Sequence, residues 1–152
     1  MNSQFDNYFV TALANEFLKR DSGAMAGWAR TGLQFKAHAL GTPGSFTVCR
    51  FFSAAFAPKS SHFYTPIADE CALVKTNPDW TFEGEVFSIP TAAPDGSCGA
   101  GTTPIYRLYN DGQGGVPNHR YTAAAEIRDQ MIAAEWILEE NGQGLAFMCA
   151  PQ

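Results

Sequence analysis

The chain has 152 residues and a mass of 16.5 kDa, enough for one domain with a sizeable hydrophobic core. Its net charge of −5 argues against a nucleic-acid partner, because phosphate binding needs a basic face. The basic residues are scattered, and no apolar stretch approaches the roughly 18 residues of a membrane span. With 14 glycines and 9 prolines, we expect a turn-rich globular domain that binds neither nucleic acid nor membrane.

Four cysteines stand well apart, and none has the C-x-x-C spacing of a zinc or redox site. Two disulfides in an exported protein are the favoured interpretation, and free buried thiols are the alternative. The first residues, "MNSQFDN", lack the basic start and apolar segment of a signal peptide. We therefore interpret the chain as a mature fragment of a secreted or cell-surface protein, with its export signal elsewhere.

Internal repetition is the main feature of the sequence. Arg50 and His62 are 12 residues apart, and so are Arg107 and His119. The spacing predicts a single domain over residues 1–152 with three repeats, at about 5–40, 46–90 and 103–149.

The first repeat is the most divergent one. Thr11, Gly32 and Phe35 take positions that recur later, and Asn7 and Tyr8 stand near the place of the histidine. It has no counterpart of the strand that opens the other two repeats, so we interpret this repeat as truncated at its start. A helix is predicted directly after Thr11.

The second repeat begins with two aromatic and β-branched strands, "VCRFF" and "HFYT". Thr65 is predicted to be the N-cap of the following helix, with Pro66 as its first residue. The segment "TFEGEVFSI" is the predicted closing strand, with Gly84 at a bend.

The third repeat follows the same order, with strands "IYRLY" and "HRYT", a helix after Thr122 and a closing strand. Such units cannot each bury a face alone, so we expect them to pack around a pseudo-threefold axis. The predicted fold class is α+β, rich in β-strand, with three strand-strand-helix-strand repeats.

The cysteines fit this division of the chain. Cys49 lies in the opening strand of the second repeat and Cys71 in its helix, which favours a bridge within that repeat. Cys98 precedes the third repeat and Cys149 ends it, which favours a second bridge there. Four cysteines allow three pairings, and the sequence alone leaves all three open.

The motifs "VCRFF", "IYRLY", "HFYT" and "WTFEGEVF" resemble those of an uncharacterised family of repeat domains in secreted bacterial proteins. The resemblance covers nearly the whole chain. It implies an accessory domain appended to an extracellular hydrolase or a cell-surface protein, of a kind suspected to bind carbohydrate or cell wall. It implies no catalytic residue.

The duplicated histidines and tyrosines are the first candidate site residues. A strand places His62 and Tyr64 on one face, and His119 and Tyr121 repeat the arrangement. Catalysis needs one base with a nucleophile and an orienting partner, so duplication instead favours structural hydrogen bonds or repeated binding sites. No residue is predicted to be catalytic, and no carboxylate or second histidine falls at metal-ligand spacing.

The duplicated arginines and the tryptophans also have two interpretations each. Arg50 and Arg107 are either buried and paired with a carboxylate, Glu83 or Glu140, or they bind a ligand through the guanidinium fork. The tryptophans are core residues or, alternatively, platforms on which sugar rings stack. They are Trp28, Trp80 and Trp136.

These features predict a non-catalytic, lectin-like extracellular module that binds a carbohydrate or another polymer, needs no cofactor, and is monomeric or part of a larger multidomain chain. The predicted ligand-binding residues are Arg50, His62, Tyr64, Arg107, His119 and Tyr121. The first alternative is a structural or adhesive repeat domain with protein partners, and the second is a small hydrolase. The first is distinguished from the leading hypothesis by whether the repeated residues line an exposed cleft or fill the core.

Overall fold

The computed structural model describes residues 8–24, 30–139 and 146–152. Within them the chain forms two antiparallel sheets and three short helices. The helices are α1 (Ala14–Asp21), α2 (Ala68–Lys75) and α3 (Ala125–Ala133), with one 3-10 turn at Gln113–Gly115. The β-rich α+β class is confirmed.

Each sheet is built around one central strand. The first contains β1 (Phe46–Ser53), β2 (Ser61–Thr65) and β3 (Thr81–Ile89), in the order β2-β1-β3. The second contains β4 (Thr102–Tyr109), β5 (His119–Thr122), β6 (Ile137–Glu139) and β7 (Met148–Pro151). In it β4 pairs with the other three strands, β6 at its C-terminal end and β7 at its N-terminal half.

The central strands are buried on both faces. Four consecutive residues are buried in β1 (Val48–Phe51) and four in β4 (Ile105–Leu108). Each run contains one arginine, so a charged side chain enters an otherwise apolar interior. Opposite Arg50, β3 has an irregular register at Gly84, whose φ of 128° lies where only glycine fits without strain.

Two disulfides link a strand of each sheet to a neighbouring segment of the chain. Cys49 in β1 bonds to Cys71 in α2, and Cys98 before β4 bonds to Cys149 in β7. Both favoured pairings are confirmed. No helix in the described part of the chain is long and apolar enough to cross a membrane.

The helix starts differ from the prediction. Thr65 is not the N-cap, because α2 begins at Ala68 and its N-cap is Ile67. The Thr65 hydroxyl instead accepts a hydrogen bond from the Ile67 amide at 3.0 Å, which forms a turn before the helix. Thr11 and Thr122 accept the same bond from the amides two residues later.

The predicted closing strands are only partly present. In the second repeat the strand forms as β3, and Gly84 bends it as expected. Residues 30–38 of the first repeat form no strand, and only His38 makes a bridge, to Ser88. In the third repeat β6 precedes and β7 follows residues 140–145. These residues, which include Gly144, lie outside the described part.

Two tyrosine hydroxyls join segments that are distant in sequence. Tyr121 donates to the Tyr64 carbonyl at 2.7 Å and accepts from the Tyr64 amide at 2.9 Å. Tyr64 makes the same pair of bonds with the carbonyl and amide of Val10, at 2.7 and 2.9 Å. The separations are 57 and 54 residues. Each tyrosine hydroxyl therefore bonds both the amide and the carbonyl of the corresponding residue in the preceding segment.

We expect Tyr121→Phe to lower the free energy of unfolding by about 1–3 kcal/mol, because it leaves the buried amide and carbonyl of Tyr64 without their partner. Urea unfolding followed by fluorescence measures the change. Tyr109→Phe is the matched control, since the hydroxyl of half-buried Tyr109 bonds no described residue, and it should cost less than about 0.5 kcal/mol. Equal losses in the two variants would contradict the assignment.

Candidate functional site

The six predicted ligand-binding residues lie on the paired strands of the two sheets. Arg50 on β1 stands opposite Tyr64 on β2, and His62 is two residues earlier. Arg107 on β4 stands opposite Tyr121 on β5 in the same way, with His119 two residues earlier. All six are buried, with at most 8% of the residue surface exposed. The fold brings them together as two clusters of three.

Arg50 holds the first cluster together through two carboxylates. Its terminal nitrogens donate to both oxygens of Glu16 in α1, at 2.8 and 2.9 Å. Its Nε forms an ion pair with Glu83 in β3 at 2.8 Å. The ring of Phe9 packs against the guanidinium, whose Cζ lies 5.2 Å from the ring centre. Arg50 therefore connects three separate segments of the chain.

Arg107 repeats this arrangement in the second cluster. Its terminal nitrogens donate to both oxygens of Glu70 in α2, at 2.8 and 3.1 Å. Its Nε pairs with Glu139 in β6 at 2.9 Å. The rings of Phe63 and Phe147 cover the guanidinium, with centroids 5.3 and 3.8 Å from its Cζ. In both clusters, one carboxylate comes from the helix before the arginine and one from the strand after it.

Each histidine is held between two rings and beside one of these carboxylates. His62 lies 4.8 Å from Phe9 and 5.0 Å from Phe52, with its Nε2 3.6 Å from Glu83. The rings leave little of either imidazole face for a substrate.

The environment of His119 is equivalent. Its ring lies 4.9 Å from both Phe63 and Tyr109, and its Nε2 is 3.3 Å from Glu139. Phe63 and Tyr109 stand at the positions that Phe9 and Phe52 take in the first cluster, so the duplication extends to the neighbours of the histidines.

Burial sets the charge state of the first cluster. Desolvation, followed by repulsion from Arg50, lowers the pKa of His62 to about 4. Desolvation also raises the pKa of Glu83 in spite of its ion pair. Burial acts the same way on Glu16, but hydrogen bonds from Arg50 and Thr11 outweigh it, and the pKa of Glu16 is lowered. With a pKa near 4, His62 is neutral at pH 7.

The second cluster differs from the first in the pKa of the glutamate that comes from a strand. Burial pushes the pKa of Glu139 upward, but hydrogen bonds and charge from His119 and Arg107 outweigh it, so its pKa is lowered. Glu139 is therefore favoured as an anion, with one carboxylate oxygen 2.9 Å from the Nε of Arg107 and 3.3 Å from the Nε2 of His119. No group of three His, Cys, Asp or Glu side chains in the described residues is arranged to hold a metal ion.

The arginine partners were predicted in part. Glu83 pairs with Arg50 as expected, and in the second cluster the strand residue that pairs with Arg107 is Glu139. The predicted partner Glu140 lies outside the described residues. The sequence analysis missed Glu16 and Glu70 altogether. A signal for them exists, since each stands five residues after the threonine that precedes its helix.

Trp80 and Trp136 lie beside the core. Trp80 is half-buried against the Cys49–Cys71 disulfide and Phe63, with ring centroids 6.0 Å apart. Trp136 is half-buried in a cluster that includes Tyr106, Leu108 and Met131. Trp28 lies outside the described residues. The contacts of Trp80 and Trp136 match the core interpretation, and stacking on a ligand stays a prediction.

We expect Glu70→Gln to lower the free energy of unfolding by about 1–3 kcal/mol, because it removes one of two carboxylates that neutralise the buried Arg107. Asp69→Asn is the matched control: it changes the same charge one residue earlier on α2, where the side chain is exposed. The control should cost less than about 0.5 kcal/mol in the same urea titration. If Glu70→Gln were equally neutral, Arg107 would not depend on Glu70.

The lowered pKa of His62 also predicts a pH dependence of stability. The unfolded chain binds a proton at this residue below about pH 6.5, whereas the folded protein does so only near pH 4. The stability that neutral His62 contributes is therefore fully present above about pH 6.5. It is lost as the pH falls toward 4, by at most about 3 kcal/mol. The lowered pKa of Glu16 acts in the same direction at lower pH, and the raised pKa of Glu83 opposes it.

Melting temperatures of the protein and of His62→Gln between pH 4 and 8 measure this effect. The variant should show a shallower loss of stability between pH 6.5 and 4, because glutamine takes up no proton. An unchanged slope in the variant would contradict the prediction.

Comparison with known proteins identifies the family of the chain. A search of the curated proteins found no match, and a search of the solved structures found none either. The family described as "Domain of unknown function (DUF5648)" matches residues 2–148, nearly the whole chain. The expectation of an uncharacterised family is confirmed, and the protein belongs to DUF5648.

Proposed function

We propose that the protein is a non-catalytic extracellular binding module, an accessory domain of a secreted protein that binds carbohydrate or another polymer. One observation carries the proposal: Phe46 and Phe82 expose aromatic rings on the first sheet, while the two Arg–His–Tyr clusters are buried and occupied by contacts within the chain. In this proposal the clusters form the scaffold, and the polymer is bound at the surface.

The surroundings of the histidines support the absence of catalysis. A general base needs a free nitrogen within reach of a substrate proton. The imidazoles of His62 and His119 are instead covered by aromatic rings, and each has a carboxylate beside Nε2. All cysteines are bonded in disulfides, which removes the thiol nucleophile.

The two disulfides support an extracellular location. Such bonds form and persist in oxidising compartments, and they are rare in the reducing cytosol. The likeness of the sequence motifs to secreted bacterial repeat domains points the same way.

The proposal includes a pseudo-threefold arrangement of the three repeats, supported by three equivalent contacts. His62 lies against Phe9, and His119 lies against Phe63. Tyr8 holds the corresponding position in the first repeat, and the guanidinium of Arg120 lies 4.5 Å from its ring centre. Arg120 in turn corresponds to Phe9 and Phe63, so the third contact closes a ring of repeats.

Exposed aromatic side chains support surface binding of a polymer. Phe46 and Phe82, both on the first sheet, are 53% and 39% exposed. Exposed rings suit the C–H faces of sugars as well as apolar protein surfaces.

A structural or adhesive domain with protein partners is the second candidate. Burial of all six repeated residues favours it, because a duplicated ligand pocket would leave at least some of them exposed. The N-terminal end of β3 also favours a domain with protein partners. Its residues from Thr81 to Glu83 are exposed, and Leu73 on α2 is 70% exposed.

Retention on immobilised polysaccharides tests the proposal. We expect the folded protein to bind at least one neutral or acidic polymer with a dissociation constant of about 10 µM to 1 mM. Protein that has been reduced and alkylated is the control for nonspecific adsorption and should not be retained. Failure of every polymer to retain the folded protein would overturn polymer binding and leave the adhesive domain as the better interpretation.

A further inference from the structure

We propose that a cleft between residues 34–36 and strands β4 and β7 is a saccharide subsite that takes a sugar bearing a carboxylate, a step that rests on the proposed polymer binding. The cleft has a volume of about 400 Å³. Gln34, Phe35 and Lys36 line one side, and Thr103 and Ala150 line the other. Its size falls in the range of small-molecule sites in proteins.

Both walls of the cleft are held in place by the fold. Thr103 on β4 pairs with Ala150 on β7, and the Cys98–Cys149 disulfide fixes β7. On the other side, Phe35 packs edge-on against Phe87, with ring centroids 6.3 Å apart.

Just beyond this wall, His38 and Ser88 exchange two backbone hydrogen bonds, of 2.8 and 3.0 Å. A cleft with fixed walls loses little conformational entropy when a ligand enters.

The polar side chains of the cleft have hydrogen-bonding capacity to spare. Lys36 and Gln34 are exposed, and Thr103 is half-buried. None of the three side chains makes an ion pair or hydrogen bond with another described residue. Together they bring an ammonium, an amide and a hydroxyl to the lining of one space, where half-buried Phe35 supplies apolar surface.

This combination selects a class of ligand. The lysine ammonium donates three hydrogen bonds and accepts none, so it favours a carboxylate or several hydroxyl oxygens. The amide and hydroxyl both donate and accept, which suits sugar hydroxyls, and a half-buried ring suits the C–H face of a sugar. The net charge of −5 opposes a densely charged polyanion. The site therefore fits a single uronic-acid unit within an otherwise neutral chain.

Titration with two matched oligosaccharides tests the subsite. The first is xylotriose substituted with one glucuronic acid, and the second is unsubstituted xylotriose. Isothermal titration calorimetry should show at least about fivefold tighter binding of the acidic sugar, the discrimination expected of one partly exposed ion pair with hydrogen bonds. Equal binding of the two sugars would overturn the assignment of the carboxylate.

Two variants locate the binding. Lys36→Glu and Thr103→Val should each weaken binding of the acidic sugar at least about fivefold. Lys19→Glu is the matched control: it makes the same charge change at an exposed residue of α1 that does not line the cleft, and it should bind like the unchanged protein.

The outcomes separate the subsite from the general function. If the protein is retained on polysaccharides but the two cleft variants bind like the unchanged protein, the subsite is overturned and polymer binding stands. If the protein binds neither the oligosaccharides nor any immobilised polymer, both are overturned.

Discussion

The fold depends on two buried arginines, each neutralised by carboxylates from two other segments. A guanidinium in the interior is costly unless its charge and its N–H groups are matched. Arg50 draws Glu16 and Glu83 to β1, and Arg107 draws Glu70 and Glu139 to β4. Each cation thus fixes the position of a helix on one side and a strand on the other. Because two carboxylates meet each arginine, the clusters account for part of the chain's net charge of −5.

The histidines and tyrosines belong to the same two clusters. Their rings have apolar faces and polar atoms at the edge. The Tyr121 hydroxyl saturates both backbone groups of Tyr64, while the ring of His119 fills the space between Phe63 and Tyr109. Such contacts specify register, because a shift of one residue along the strand would turn the tyrosine and histidine side chains to the opposite face, away from their partners. Purely apolar residues could fill the volume, but they would leave the amide and carbonyl of Tyr64 unsatisfied. The six residues predicted to bind a ligand therefore make contacts that join each segment of the chain to the preceding one.

Local patterns in the sequence predicted the β-rich α+β class and most of the strands between residues 46 and 122, and they favoured both disulfide pairings without excluding the other two. These features depend on composition and spacing over a few residues, or on which predicted element holds each cysteine. The helix starts were misjudged, because a threonine and a proline before a helix suit a preceding turn as well as an N-cap. The contacts of Glu16 and Glu70 could not be predicted from periodicity, since they join residues 34 and 37 positions apart. Spacing identified the arginines, but only the packing of one segment on the next identifies their partners.

Breaks in the repetition are better places to seek binding than the repeated residues themselves. A residue that recurs in equivalent positions and is buried each time serves the scaffold, whereas a residue that departs from its equivalents is free to serve something else. Phe35 and Phe87 each follow a glycine by three residues, yet their neighbours differ. Beside Phe87 stand Val86 and Ser88, both buried, whereas Gln34 and Lys36 beside Phe35 are exposed. The polar wall of the cleft thus lies at residues 34–36, where the chain forms no strand and the side chains of Gln34 and Lys36 stay at the surface.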